Sequence, residues 1–175
     1  MKVLVSGVTM ADVDAVGDLA RRVWQEAYPE IISQAQIDYM LAQRYNTVRL
    51  CEELASPGTW WDQIRVDGQL SGFASSLFST TPGVIKLDKL YVDPARQRLG
   101  LGGRLIAQVA QRALSNGCDT LILAVNKRNE RAIAAYKKSG FVVREAVRVD
   151  IGNGFVMDDF IMSKFLKAPG VTVGE

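Results

Sequence analysis

Apolar residues change their spacing several times along this chain, and each change marks an element. From Ala11 to about Ala27, Val13, Val16, Leu19, Ala20, Val23 and Trp24 recur at helical intervals until Pro29 breaks the run. Residues 34–43 and 46–54 predict two more short helices, the second with Asn46 as its N-cap. Residues 2–7, ahead of all three, read as a short strand. Beyond Pro57-Gly58 the period falls toward two. Residues 59–66 and 69–79 predict strands joined by the hairpin signal Asp67-Gly68. Trp60 and Trp61 are neighbours in that first strand, so one faces the core and the other is partly exposed. Residues 85–92 (IKLDKLYV) make a further strand, whose alternation slips at Asp88-Lys89 in the manner of a bulge.

The clearest helix covers 101–115, where Leu101, Leu105, Val109 and Ala113 repeat at i+4 and Asn116-Gly117 ends the run. Residues 120–125 (TLILAV) are continuously apolar, the pattern of a strand buried on both faces. A short helix over 129–138 follows, with Asn129 as N-cap and Gly140 past its end. Strands over 141–149 and 155–166 complete the order β-α-α-α-β-β-β-α-β-α-β-β, an α+β class. The crossover through 101–115 sets strand 120–125 parallel to strand 85–92. Residues 1–167 are expected to form one domain, with a flexible tail over 168–175.

Composition narrows the chemistry. The 175 residues carry 21 basic and 19 acidic side chains, a balance that offers no basic field for nucleic acid. No apolar run reaches the roughly 18 residues that span a bilayer, so no membrane partner is expected. The N-terminal MKVLVSGVTM reads as a strand and not as a signal peptide, which makes the expected location cytoplasmic. Cys51 and Cys118 form no CxxC pattern and are read as free thiols. The chain has no histidine, which removes Ser-His-Asp and Cys-His hydrolase mechanisms and the usual zinc sites; no metal is expected.

Glycines gather where strand 85–92 hands over to helix 101–115: Gln97-Arg98-Leu99-Gly100-Leu101-Gly102-Gly103-Arg104. Unpaired amides at a helix N-terminus attract anions, and glycine lets a phosphate approach bare backbone. Gln97, Arg98 and Arg104 add side-chain donors. A P-loop would need Gly-Lys-Ser/Thr, and a dinucleotide fold would need a third glycine where Leu105 stands. The pattern Q-x-x-G-x-G fits without a gap.

This segment resembles motif A of the Gcn5-related N-acetyltransferase superfamily. Two further matches carry the resemblance: the approach Tyr91-Val92-Asp93-Pro94, and the later helix Asn129-x-x-Ala132-x-x-x-Tyr136 followed by Gly140-Phe141. What it implies is a central, mixed, mostly antiparallel twisted sheet flanked by helices, with one parallel strand pair splayed to admit acetyl-CoA. It implies that Leu90, Tyr91 and Val92 pair with the pantetheine arm and that amides from Arg98 to Gly103 hold the pyrophosphate. Asn129 would help bind the cofactor arm, and basic residues of 127–138 could reach its 3′-phosphate. An amine attacks the thioester directly, in a ternary complex. The Val92 N–H is the candidate to polarise the carbonyl, and Tyr136 holds the position of the acid that protonates the departing thiolate.

The proton acceptor for the amine is open, since Ala124 stands where some relatives carry Glu. Asp88, Asp158, Asp159 and bulk solvent are the candidates. More loosely, Leu87–Val92, the first helix with Trp24 and Tyr28, and Val156–Met162 are similar to bacterial spermidine/spermine-type acetyltransferases. That likeness implies a small amine such as a polyamine, met by Trp24, Tyr28 and Asp159, with Glu26, Glu30, Asp88 and Asp158 as further acids of its recess. Alternatives are acetylation of a protein N-terminus or lysine, and a non-catalytic acyl-CoA-binding module. Homodimers are common among resembling proteins, although no stretch of this sequence signals an interface.

Overall fold

The structure, a computed structural model, describes residues 1–167; the expected tail over 168–175 lies outside the described residues. The elements run β1 (Val3–Gly7), α1 (Val13–Ala27), α2 (Gln34–Arg44), α3 (Thr47–Ala55), β2 (Thr59–Val66), β3 (Gln69–Phe78), β4 (Val84–Val92), α4 (Leu101–Ser115), β5 (Thr120–Asn126), α5 (Glu130–Lys138), β6 (Val142–Gly152) and β7 (Phe155–Phe165). The strands form one sheet in the order β1-β2-β3-β4-β5-β7-β6. All neighbours pair antiparallel except β4 and β5, the pair linked by the α4 crossover.

Turn chemistry sets the strand registers. Asp67 and Gly68 both take positive φ, 49° and 82°, which is the twist a two-residue hairpin needs between β2 and β3. Asn153 and Gly154 do the same between β6 and β7. Asn46 caps α3, its side-chain oxygen accepting the Arg49 N–H at 2.8 Å. Ahead of α1 the chain makes one 3-10 turn, Met10–Asp12, because the Asp12 carboxylate accepts the Thr9 N–H at 2.8 Å. The regular helix therefore starts two residues later than the spacing predicts.

Each sheet face carries its own core. On one side Val16, Leu19, Trp24, Ile37, Met40, Tyr45 and Leu50 of the α1–α3 segment meet Trp61 and Phe73. On the other, Leu101, Leu105, Val109 and Ala113 of α4 cover Ile64, Ile85, Leu87, Leu121 and Leu123, with Phe141 and Met162 closing the far end. Burying each of these large side chains contributes about 1.5–3 kcal/mol, which is what holds helices of only moderate intrinsic propensity in place. Trp61 is buried and Trp60 half-buried, on opposite faces as alternation requires.

Two local features position the site. The β3–β4 register jumps, so that Ser75 faces Lys89 and Ser76 faces Leu87, leaving Asp88 as the extra residue of a bulge. The parallel pairing of β4 with β5 covers only Val84, Ile85 and Lys86 against Thr120, Leu121 and Ile122. Beyond Lys86 the two strands part. This corrects the expectation for 120–125. Leu121, Leu123 and Val125 are buried, but Ala124 is exposed on the other face, because that face borders the opening.

Candidate active site

A cleft of about 1850 Å³ runs through the gap between β4 and β5. Its walls are the ends of those strands, the 96–103 turn, α5, the α1–α2 connection and the inner face of β6–β7. Leu90, Tyr91 and Val92 line it. Asp93 donates its N–H to Ser71 O on β3 at 2.8 Å, so by the alternation of a strand the preceding N–H, that of Val92, turns toward the gap. Gly72 makes this arrangement feasible. A Cβ there would sit 2.8 Å from Tyr91 O and 3.0 Å from an Ile64 methyl, so a larger residue would push β4 out of position.

The turn before α4 has unusual backbone geometry. Arg98 holds φ 68° and Gly100 φ 72°, and Gly100 occupies the N-cap with no side-chain partner for the first-turn amides. A non-glycine residue in that conformation costs about 1–3 kcal/mol, and such strain gathers at ligand sites. A Cβ at Gly100 or Gly103 would meet nothing within 4 Å, so open space, not packing, surrounds these amides. Free amides of Leu101, Gly102 and Gly103, the Arg98 guanidinium and an open approach suit a pyrophosphate. Two members of the expected set differ. The Arg104 N–H is already bonded to Gly100 O at 3.2 Å, and the Arg104 side chain stands outside the cleft lining, as does that of Leu99. The Gln97 side chain is held by Arg131 of α5, tying the turn to that helix.

Facing the turn across the gap, Asn129 caps α5, its side-chain oxygen accepting the Ala132 N–H at 3.3 Å. Tyr136, two helical turns further on, packs its ring against Phe141 at 5.8 Å and is half-buried in the cleft wall. Burial pushes its phenol well above the ordinary tyrosine value, with the nearby Tyr28 adding to the rise, so it stays protonated through the neutral range. Tyr28, Tyr45 and Tyr91 are raised in the same way, chiefly by burial. Trp24 lies under Tyr28, stacked at 4.3 Å; it borders the cleft but is itself almost wholly buried.

The expected acids separate into different environments. Asp88 lies in the cleft, where Lys89 Nζ donates to it at 2.8 Å and Lys86 stands 3.5 Å away. Burial works against its charge, but Lys89, Lys86 and Arg44 together hold its carboxyl below the ordinary range. Asp158 turns away to pair with Lys127 at 2.6 Å and does not line the cleft. Asp159, opposite Asn126 on β5 and Val147 on β6, does line it. Asp159 is 3% exposed, and its Oδ1 has no partner among the described residues. Burial raises its carboxyl above the ordinary value. Glu26 and Glu30 line the mouth as exposed side chains.

Several residues of the site escape any sequence motif. Arg128 donates to the carbonyls of Glu30 and Ile31, 2.9 and 2.7 Å, and so fastens the α1–α2 connection across the mouth. Arg44, Arg49, Glu53 and Lys86 also line the cleft. Arg49 and Glu53 show helical i,i+4 spacing, but nothing in the sequence brings α2 and α3 to the end of β4.

An Acetyltransferase (GNAT) family model matches residues 14–141. The chain belongs to the GNAT family. An uncharacterized N-acetyltransferase of Mycobacterium tuberculosis is 28% identical over 152 residues, 85% of this chain and 97% of that protein. The spermidine N(1)-acetyltransferase of Thermoplasma acidophilum is 22% identical over 162 residues, 90% of this chain and 97% of its own length. Among solved structures, the PaiA N-acetyltransferase of Thermoplasma acidophilum in complex with coenzyme A superposes with a TM-score of 0.83 at 22% identity, covering 94% of this chain and 99% of that one. The GNAT chain described here is thus an acetyl-CoA-dependent N-acetyltransferase, with the mixed, mostly antiparallel sheet and parted parallel strands that the sequence resemblance implies. No helix among the described residues is long and apolar enough to cross a membrane.

Proposed function

We propose that this enzyme acetylates the primary amine of a small molecule by direct attack in a ternary complex, with Tyr136 as the acid and Asp159 as the group that receives the amine and its proton. The observation that carries the reading is convergence on one gap. The outward Val92 N–H, a protonated Tyr136 and the unpartnered Asp159 carboxylate line the same opening between β4 and β5. Acetyl-CoA, when bound, supplies an activated acyl group. Amides of 98–103 hold its phosphates, and the free edge of β4 over Leu90–Val92 aligns the arm so that reacting atoms meet in line. Such alignment is worth up to about 7–11 kcal/mol in ideal cases. A buried phenol can give its proton to a sulfur without ever ionising in the resting enzyme. Asp88 is less suited to take a proton, because Lys89 and Lys86 already stabilise its charge.

The finer polyamine reading draws support from the spermidine N(1)-acetyltransferase relative. Against it, Glu53 and Asp88 are already paired with Arg49, Lys89 and Lys86, which leaves Asp159 as the buried carboxylate still free to meet an ammonium. A thiol-release assay with acetyl-CoA against polyamines, amino acids, simple amines and peptides tests the proposal. Turnover with small amines supports it. Turnover confined to peptides would move the assignment to protein acetylation, and coenzyme A binding without any thiol release would leave a non-catalytic module. A second copy of the chain, the other expected partner, would have β6 with its exposed Val142 and Val143 as an open edge, and sedimentation would detect it.

A further inference from the structure

Besides the exposed Glu26 and Glu30 at its mouth, the acceptor end of the cleft holds two buried or half-buried charges of opposite sign that have no partner among the described residues. One is Asp159, almost fully buried with an unpartnered Oδ1. The other is Arg44, half-buried at the end of α2 and lining the same cleft. Among the described residues the Arg44 guanidinium forms no hydrogen bond and no ion pair, whereas the cations around it are engaged. Arg49 is paired with Glu53 at 3.1 Å, Lys89 with Glu53 and Asp88, Lys86 with Asp88, Lys127 with Asp158, and Arg128 with two backbone carbonyls. Arg44 lies near enough to act electrostatically on both Asp88 and Asp159, yet bonds to neither. Its place in the last turn of α2 favours a cation there, but the helix C-terminus does not require the side chain to line a cleft.

A guanidinium presents a fixed fork of donors matched to a carboxylate, and a half-buried one left unpaired costs more than an exposed one. We propose that the acceptor is a zwitterion, a primary amine that also carries a carboxylate, with Asp159 receiving the ammonium and Arg44 the carboxylate. This assignment rests on the acetyl-transfer reading above and names its substrate class. It makes Arg44 a specificity determinant. A polyamine, which offers only positive charge, meets an unneutralised guanidinium beside the very carboxylates it would need.

Matched acceptors with and without the carboxylate test this: alanine with ethylamine, 4-aminobutyrate with propylamine, 6-aminohexanoate with pentylamine, and lysine with cadaverine, plus spermidine. In at least one pair, kcat/KM for the carboxylate-bearing amine is expected to exceed that of its partner by about tenfold or more, the range of a hydrogen bond to a charged group. Arg44→Gln should reduce that ratio to within about threefold, while Arg44→Lys should keep part of it. Circular dichroism and coenzyme A affinity of each variant check that the fold is intact. The assignment is overturned if every pair agrees within about threefold, if spermidine outruns every zwitterion, or if Arg44→Gln lowers both members and leaves their ratio unchanged. Turnover of carboxylate-free amines without preference would sink the Arg44 role alone. Absence of thiol release from all amines would sink the acetyl-transfer reading with it.

Discussion

The cofactor end and the acceptor end of the cleft are made of different material. In the proposed reading, the groups at the cofactor end are backbone amides of Val92 and 98–103, presented by a strand edge and a helix N-terminus that adjoin in the chain. At the proposed acceptor end they are side chains, Tyr28, Arg44, Asp88 and Asp159, delivered by α1, α2, β4 and β7. A backbone site constrains sequence only where side chains would obstruct it, so it leaves glycines in a fixed spacing. A side-chain site depends on how distant elements dock, and it changes with single substitutions that leave the fold alone. The GNAT chain can therefore keep one cofactor and vary its acceptor.

Four substitutions sharpen that contrast, beginning with the largest effect. Tyr136→Phe removes the proposed proton donor and nothing else of size; kcat should fall by about 10²–10⁴-fold with acetyl-CoA affinity nearly intact, as steady-state kinetics and calorimetry would report. An unchanged rate would take Tyr136 out of the chemistry. Asp159→Asn should lower kcat/KM by about a hundredfold and abolish the acid limb of its pH profile. Because burial raises the Asp159 carboxyl, the rate should climb as pH passes through that raised value. Stability runs the other way. The native state holds the proton more tightly than the unfolded chain, so stability is full below the unfolded value and is lost as pH rises through the folded one. Asp159→Asn should accordingly raise the neutral-pH melting temperature, by about 2–4 °C for each kcal/mol relieved.

The third test addresses the backbone end. Gly100→Ala places a Cβ on a residue at φ 72°, and the strain should weaken acetyl-CoA binding by about tenfold while the acceptor KM stays near its original value. Smallest is Arg128→Ala, which unfastens the connection over Glu30 and Ile31. An acceptor KM raised by about threefold, with acetyl-CoA affinity unchanged, is expected from losing hydrogen bonds on an exposed side chain. If Gly100→Ala and Arg128→Ala each disturbed both ligands equally, the division into two ends would fail.

Much of the fold was legible because its signals are local. Asp67-Gly68, the i+4 ladder of α4, the slip at Asp88 and the Asn46 cap each act within a few residues, and the structure realises each of them. The reading of β5 missed because an apolar run looks the same whether its second face meets protein or borders a cleft. Ala124 gives no sign of which. The same limit applies to the site. Gly100 and Gly102 point to the proposed anion, since no close packing there calls for glycine, whereas Gln97 is accounted for by its bond to Arg131. Arg44 announces nothing, because an arginine in the last turn of a helix is ordinary until tertiary structure sets it in the same cleft as Asp159. Asp158 and Asp159 show the problem at its sharpest: adjacent carboxylates, alike in sequence, sent by strand alternation to opposite sides of a sheet.

The single extra residue in β4 has a wider reach than its size suggests. Ile85 and Leu87 face the α4 core, and so do Leu90 and Val92, although an unbroken alternation would have sent that second pair to the opposite side. Tyr91 is thereby delivered among the aromatics of α1 and α2. Asp88 thus behaves like an inserted letter that restores the phase of everything after it. Shortening this strand by one residue would leave its composition almost untouched and turn the whole downstream message inside out.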